Sequence, residues 1–181
     1  MTKILILDTE TTGLKDPEPV EIGFLEFSEN LEFLEFQNLS KVKTFCQRYR
    51  PSKAIDVGAS SIHGIYMRDV LHCPKPSTFQ LPEHDYMIGH NIAFDHKVLG
   101  NPPTKLICTL KLARMVLPKK EVMNHKLTTL FNHFYKEEST ALLSQSHGAL
   151  ADCHMTFLIL CKLIKEVPYC KTWDDVYSIW C

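Results

Sequence analysis

The chain opens on an unbroken apolar run, Ile4-Leu5-Ile6-Leu7, that turns polar at Asp8 and meets Gly13 soon after. A continuous run this short, aliphatic and bounded by a turn signal predicts a buried central strand ending at Asp8–Glu10. Val20–Phe27 predicts a second strand, and Val42–Tyr49, stopped by Pro51, a third. Short connections between successive strands predict an antiparallel meander. Asn30–Leu39 fits either an extension of the hairpin or a short helix. After Ala54 the period changes. Ser60–Gly64 and Arg68–Leu71 predict short helical turns, and Pro74, Pro76 and Pro82 a loop. Tyr86–Gly89 and Leu106–Cys108 predict strands. Ile92–Leu99, Thr109–Val116, Leu127–Phe134, Gly148–Val167 and Trp173–Trp180 predict helices. Strands first, then strands alternating with helices, make an α/β chain with one mixed sheet covered by helices.

With 181 residues and 45% apolar content, the chain suits one domain with a sizeable core. A net charge of −1 excludes a globally basic nucleic-acid binder. The charges are nonetheless uneven. Residues 15–35 hold Asp16, Glu18, Glu21, Glu26, Glu29, Glu32 and Glu35 against Lys15; residues 97–126 hold Lys97, Lys105, Lys111, Arg114, Lys119, Lys120 and Lys126 against Glu121. These are two solvated faces, or the basic one flanks a polyanion path. Seven cysteines include no C-x-x-C pair, which argues against a zinc ribbon or redox dithiol. Reduced thiols in a cytoplasmic setting are expected. The opening apolar run is too short for a signal core, and no membrane span is expected.

Three segments carry chemistry. In Asp8-Thr9-Glu10, residues two apart on a strand share a side, so two carboxylates meet at the end of a buried strand. Like charges there are costly unless a cation compensates, although most isolated D-x-E pairs are surface charges. The Thr11-Thr12-Gly13-Leu14 turn then offers backbone N–H groups to an anion. In His90-Asn91-Ile92-Ala93-Phe94-Asp95, a strand ends and an acid falls in the first turn of a helix; such an acid also suits the helix dipole. In His147-Gly148-Ala149-Leu150-Ala151-Asp152, Gly148 is expected to turn the chain into a helix, with His147 in the loop before it. Asp152 shares a stripe with Ala149, Met155 and Thr156 and is expected to face inward.

Together, Asp8-Thr9-Glu10, Asn91…Asp95 and His147…Asp152 resemble, in order, the three motifs of the DEDDh exonucleases. The strings D-T-E-T-T-G-L, I-H-G-I (Ile62–Ile65), H-N-x-x-F-D and H-x-A-x-x-D also fit, from Lys3 to about Lys165. Ile107–Arg114 is most similar to the exonuclease X branch. The resemblance implies a ribonuclease H-like fold over residues 1–167. The aromatic tail, 168–181, then packs on the domain or in a homodimer contact.

The resemblance also implies a 3′→5′ exonuclease with two divalent cations, Mg²⁺ or Mn²⁺, roughly 4 Å apart. Asp8 would touch both, Glu10, Asp95 and Asp152 would complete the ligands, and His147 would be the general base. The product would be a nucleoside 5′-monophosphate. For the terminal nucleotide it points to backbone groups of Thr11 and Thr12, to Leu14 as a wedge, and to Ile62, His63 and Ile65 as pocket walls. It also points to Asn91 as a hydrogen-bonding group and Phe94 as a stacking ring; for Leu14, Ile65 and Phe94 core packing is the alternative. DNA 3′ ends are favoured as substrate, with a possible DNA-processing partner. The same residues suit an exoribonuclease of the ribonuclease T or oligoribonuclease type, or a non-catalytic nucleic-acid or polymerase-binding module.

Overall fold

The computed structural model describes residues 1–118, 121–136 and 147–179. Strands β1 (Lys3–Thr11), β2 (Pro19–Ser28), β3 (Lys43–Arg48), β4 (Tyr86–Gly89) and β5 (Lys105–Cys108) form one sheet in the order β3-β2-β1-β4-β5. The first three make the antiparallel meander, while β4 and β5 run parallel to β1. The expected mixed five-stranded sheet is therefore present. The ambiguous segment after β2 does not extend the hairpin and takes the short-helix alternative. It folds as two 3₁₀ helices, Leu31–Phe33 and Phe36–Lys41.

Helices α1 (Val57–His63), α2 (Met67–Val70), α3 (Ala93–Val98), α4 (Thr109–Val116), α5 (Leu127–Phe134), α6 (Ala149–Leu163) and α7 (Trp173–Ser178) follow. The α6 run tightens into a 3₁₀ turn, Ile164–Glu166, before Pro168. Trp180 and Cys181 of the tail, and Lys119 and Lys120 of the basic segment, lie outside the described residues.

Alternation along β1 decides which side its acids take. Ile4 and Ile6 face a core shared with α4, α5 and α6, through Leu112, Leu130, Phe157 and Leu160. Leu5 and Leu7 face the opposite core, with Tyr49, Met87 and Ile92. Asp8 and Glu10 continue the Ile4–Ile6 side and so emerge beneath α6. That helix is apolar nearly all round and packs across β1 and β2, as a fully buried helix must.

The tail helix α7 packs against β5. Trp173 is buried and its indole N–H donates to the Glu29 carbonyl at 2.9 Å. Asp174 accepts from the Tyr86 hydroxyl and from Lys105 Nζ, each at 2.6 Å. The six described cysteines are free thiols. Among the described residues, no helix is long and apolar enough to cross a membrane.

Candidate active site

The strand end and the helix start bring three carboxylates together. One oxygen each from Asp8, Glu10 and Asp152 lies within 4.8 Å of the others. Removal from water, then the charges of Asp95, Asp152 and Glu10, hold the Asp8 carboxyl well above the usual carboxylate range. Glu10 is pushed up to about 8 by burial, then by Asp152, Glu21 and Asp95. Burial also raises Asp152, against an opposing hydrogen bond from His147. Acids this close cannot all ionise unless positive charge joins them. Their hard oxygen donors fit a divalent cation such as Mg²⁺ or Mn²⁺.

Asp95 adjoins this trio without belonging to it. It is buried at the start of α3, and its Oδ1 accepts the Thr9 backbone N–H at 2.9 Å and the Thr9 hydroxyl at 2.7 Å. Burial pushes its carboxyl up to about 6 even though both Thr9 bonds oppose the shift. The four expected ligands are thus assembled as three converging acids and one held against the strand by Thr9. Thr9 itself was not an obvious candidate in the sequence. The signal for it is that period two puts it on the side of β1 away from Asp8 and Glu10.

His147 takes the sharp turn into α6. Its φ is 67°, whereas Gly148 is extended at −111°. As expected, Gly148 is the N-cap from which α6 starts and His147 lies in the loop before it; the left-handed residue is the histidine, at a cost of about 1 kcal/mol. The backbone N–H of His147 donates to Asp152 Oδ1 at 3.1 Å, which ties the loop to the carboxylate, while the ring is left exposed.

A cleft of about 560 Å³ opens beside the acids, lined in part by Glu10, Thr11, Leu14, Ile62, His63 and Phe94. Leu14, one of these wall residues, is 87% exposed. Gly13, at φ 147°, lets the turn pass over Asp56; a Cβ there would sit 2.0 Å from Asp56 Oδ2. His63 Nε2 donates to the Thr11 carbonyl at 3.1 Å and Nδ1 accepts from Ile65 N–H at 3.0 Å, so the ring is the neutral Nε2–H tautomer. Burial lowers its pKa accordingly.

Three expected contacts do not line this cleft. The Thr12 N–H donates to the Glu18 carbonyl at 2.9 Å and its carbonyl accepts from Asp56 N–H at 2.8 Å, so both groups are already paired. Ile65 is 1% exposed and packs with Val20 and Val70, which is the core alternative. Asn91 is exposed at φ 71°, a conformation asparagine tolerates, and lies outside the cleft walls. Conversely, Lys15, Asp56, Gly58 and Ala59 complete the walls without having carried any motif. Glu21, one of the acids of the charged stretch, is 7% exposed and stands opposite Glu10 in the β1–β2 register.

Comparison with known proteins agrees with this geometry. Exodeoxyribonuclease 10 of Escherichia coli (strain K12) is 28% identical over 168 residues, covering 88% of this chain and 68% of its own. The DNA polymerase III subunit epsilon of Buchnera aphidicola subsp. Schizaphis graminum is 29% identical over 180 residues, covering 84% and 70%. Among solved structures, exonuclease X in complex with 5′ overhanging duplex DNA superposes with a TM-score of 0.71 at 26% identity, over 96% of this chain and 99% of that one. E. coli exonuclease I with a dT13 oligonucleotide shares the fold, with a TM-score of 0.66 at 16% identity over 93% and 42%. The model of the RNase_T exonuclease family matches residues 5–160, and the chain belongs to that family.

Proposed function

We propose that this exonuclease removes nucleoside 5′-monophosphates from DNA 3′ ends by metal-dependent hydrolysis, with His147 as general base. The observation that carries the reading is the convergence of Asp8, Glu10 and Asp152 within 4.8 Å at the edge of an open cleft. Asp8, Glu10 and Asp152, with Asp95 beside them, would hold the cations. Two Mg²⁺ or Mn²⁺ ions, when bound, would supply positive charge against the carboxylates and the phosphate and acidify water.

The protein's own groups do the rest. The exposed His147 ring takes the proton of the attacking water, a role suited to imidazole. Water oxygen bonds to phosphorus and the bond to the 3′-oxygen of the penultimate nucleotide breaks; that oxygen takes a proton from solvent to become the new 3′-hydroxyl, and the phosphate leaves on the 5′ side of the released nucleoside. Leu14, Ile62 and Phe94 offer apolar walls to the terminal base. Stacking on such walls tolerates any base, as successive removal requires. DNA is favoured over RNA because the relatives named above are a deoxyribonuclease, a DNA polymerase subunit and an exonuclease bound to DNA.

Side-by-side digestion of 3′-labelled DNA and RNA oligonucleotides of equal length, with Mg²⁺ and with EDTA, tests the reading. Expected are Mg²⁺-dependent shortening from the 3′ end, faster on DNA, and its loss in Asp8→Ala. Full activity of that variant overturns the site, and a clear preference for RNA overturns the substrate.

A further inference from the structure

Glu21 is a fifth acid beside the site, and its two oxygens are both engaged. Oε1 accepts the backbone N–H of Ala149, the first residue of α6, at 3.0 Å. Oε2 meets Arg48 Nε of β3 at 3.0 Å. A glutamate directly opposite Glu10 in a β-ladder is unfavourable on charge alone, and the Glu21 charge helps push the Glu10 carboxyl up. Something must offset that cost. The carboxylate satisfies an otherwise unpaired N–H at a helix N-terminus, where negative charge is favoured.

The contact is part of a seam. Two residues on, Gly23 brings β2 so close to the helix that a Cβ would lie 2.5 Å from Leu150 N. The Cys153 thiol donates to the Gly23 carbonyl at 3.3 Å. Residues 21 and 23 share one side of β2, so the strand grips the first turn of α6 at successive positions. His147 lies two residues before the gripped N–H and Asp152 three after it, with His147 N–H bonded to Asp152.

We infer that Glu21, braced by Arg48, is a positioning residue: it sets the place of α6, and through it of His147 and Asp152, relative to Asp8 and Glu10. This rests on the exonuclease reading above and extends it to a residue outside both the converging carboxylates and the cleft walls. Misplacing groups that hold a metal typically costs about 10- to 100-fold in affinity or activity.

The test compares Glu21→Met, which fills the volume but accepts no hydrogen bond, with Glu21→Gln, whose amide oxygen still accepts from Ala149. Measured are Mn²⁺ affinity by calorimetric titration, kcat and KM on a 3′-labelled single-stranded DNA, and the melting temperature. Expected for Glu21→Met is a loss of about 10- to 100-fold in kcat and in Mn²⁺ affinity at nearly constant KM, with Glu21→Gln restoring most of both. Wild-type kcat and Mn²⁺ affinity in Glu21→Met, whatever its melting temperature, overturn the inference. If Glu21→Met does not fold, Arg48→Met decides, with a lower kcat at constant KM expected and an unchanged kcat overturning. A wild-type protein that cuts nothing refutes the exonuclease reading instead, and the Mn²⁺ titrations then still decide the role of Glu21.

Discussion

The backbone N–H and the hydroxyl of Thr9 converge on a single oxygen of Asp95, at 2.9 and 2.7 Å. This fixes the start of α3 against β1. Thr9→Val keeps the shape and the backbone bond but deletes the hydroxyl. Losing a buried hydrogen bond to a carboxylate costs about 1.5–3 kcal/mol. We expect a lower melting temperature and a kcat reduced about tenfold or more, with Thr9→Ser close to wild type on both. A valine variant with unchanged turnover would show that Asp95 does not depend on Thr9 for its placement.

The acids make the metal-free protein sensitive to pH in a definite direction. A carboxyl whose pKa is raised on folding holds its proton more tightly in the native state, so deprotonation destabilises the fold. Asp8, Glu10 and Asp95 are all raised, Glu10 to about 8 and Asp95 to about 6. Their contribution is intact below the ordinary carboxylate range and is lost as pH rises through about 6 and then about 8. A divalent cation replaces those protons. Thermal melts at about pH 5 and about pH 8.5, with and without saturating Mg²⁺, should show a larger Mg²⁺ gain at the higher pH. Equal gains at both would mean that Mg²⁺ does not bind these carboxylates.

The same acids show what a sequence can carry. Ile4–Leu7 followed by Asp8-Thr9-Glu10 needs only the period of a strand to place two carboxylates together, and the helical stripe that Asp152 shares with Ala149, Met155 and Thr156 turns it toward them. Other features depend on relations across the chain. Glu21 looks like one more surface acid until the hairpin register sets it opposite Glu10. Ile62 and Ile65 belong to one short string, yet Ile62 is 61% exposed at the cleft and Ile65 is core. The divide falls at Gly64, whose φ of 70° ends α1 and redirects the chain. Thr11 and Thr12 are neighbours of identical type, yet Thr11 lines the cleft with its carbonyl bonded to His63, whereas Thr12 is tied to Glu18 and Asp56 outside it. No period records any of these facts.

Leu14 separates binding from folding. At 87% exposure it buries little within the chain, so its truncation has almost no packing to remove. Leu14→Ala should leave the melting temperature unchanged within experimental scatter. If the side chain meets the terminal base, KM for single-stranded DNA should rise about threefold to tenfold, in line with about 1 kcal/mol of lost stacking. Unchanged KM and kcat would remove Leu14 from the substrate site.

His147 contributes through two separable groups. Its backbone N–H holds Asp152 at 3.1 Å, and its exposed ring is the proposed base. Glycine at this position keeps the N–H, deletes the ring and relaxes the φ of 67°. His147→Gly should therefore keep Mn²⁺ affinity within about threefold of wild type, because the carboxylate retains its partner. Its melting temperature should not fall, since the strain at positive φ is removed against the entropy of the added glycine. Only the proton acceptor is lost, and kcat should drop about 100- to 10,000-fold, the usual range for a general base. Single-turnover cleavage alongside Mn²⁺ titration separates the two groups. A variant with kcat near wild type assigns the proton to another acceptor, whereas one that loses Mn²⁺ affinity makes the ring, rather than the N–H, the support for Asp152.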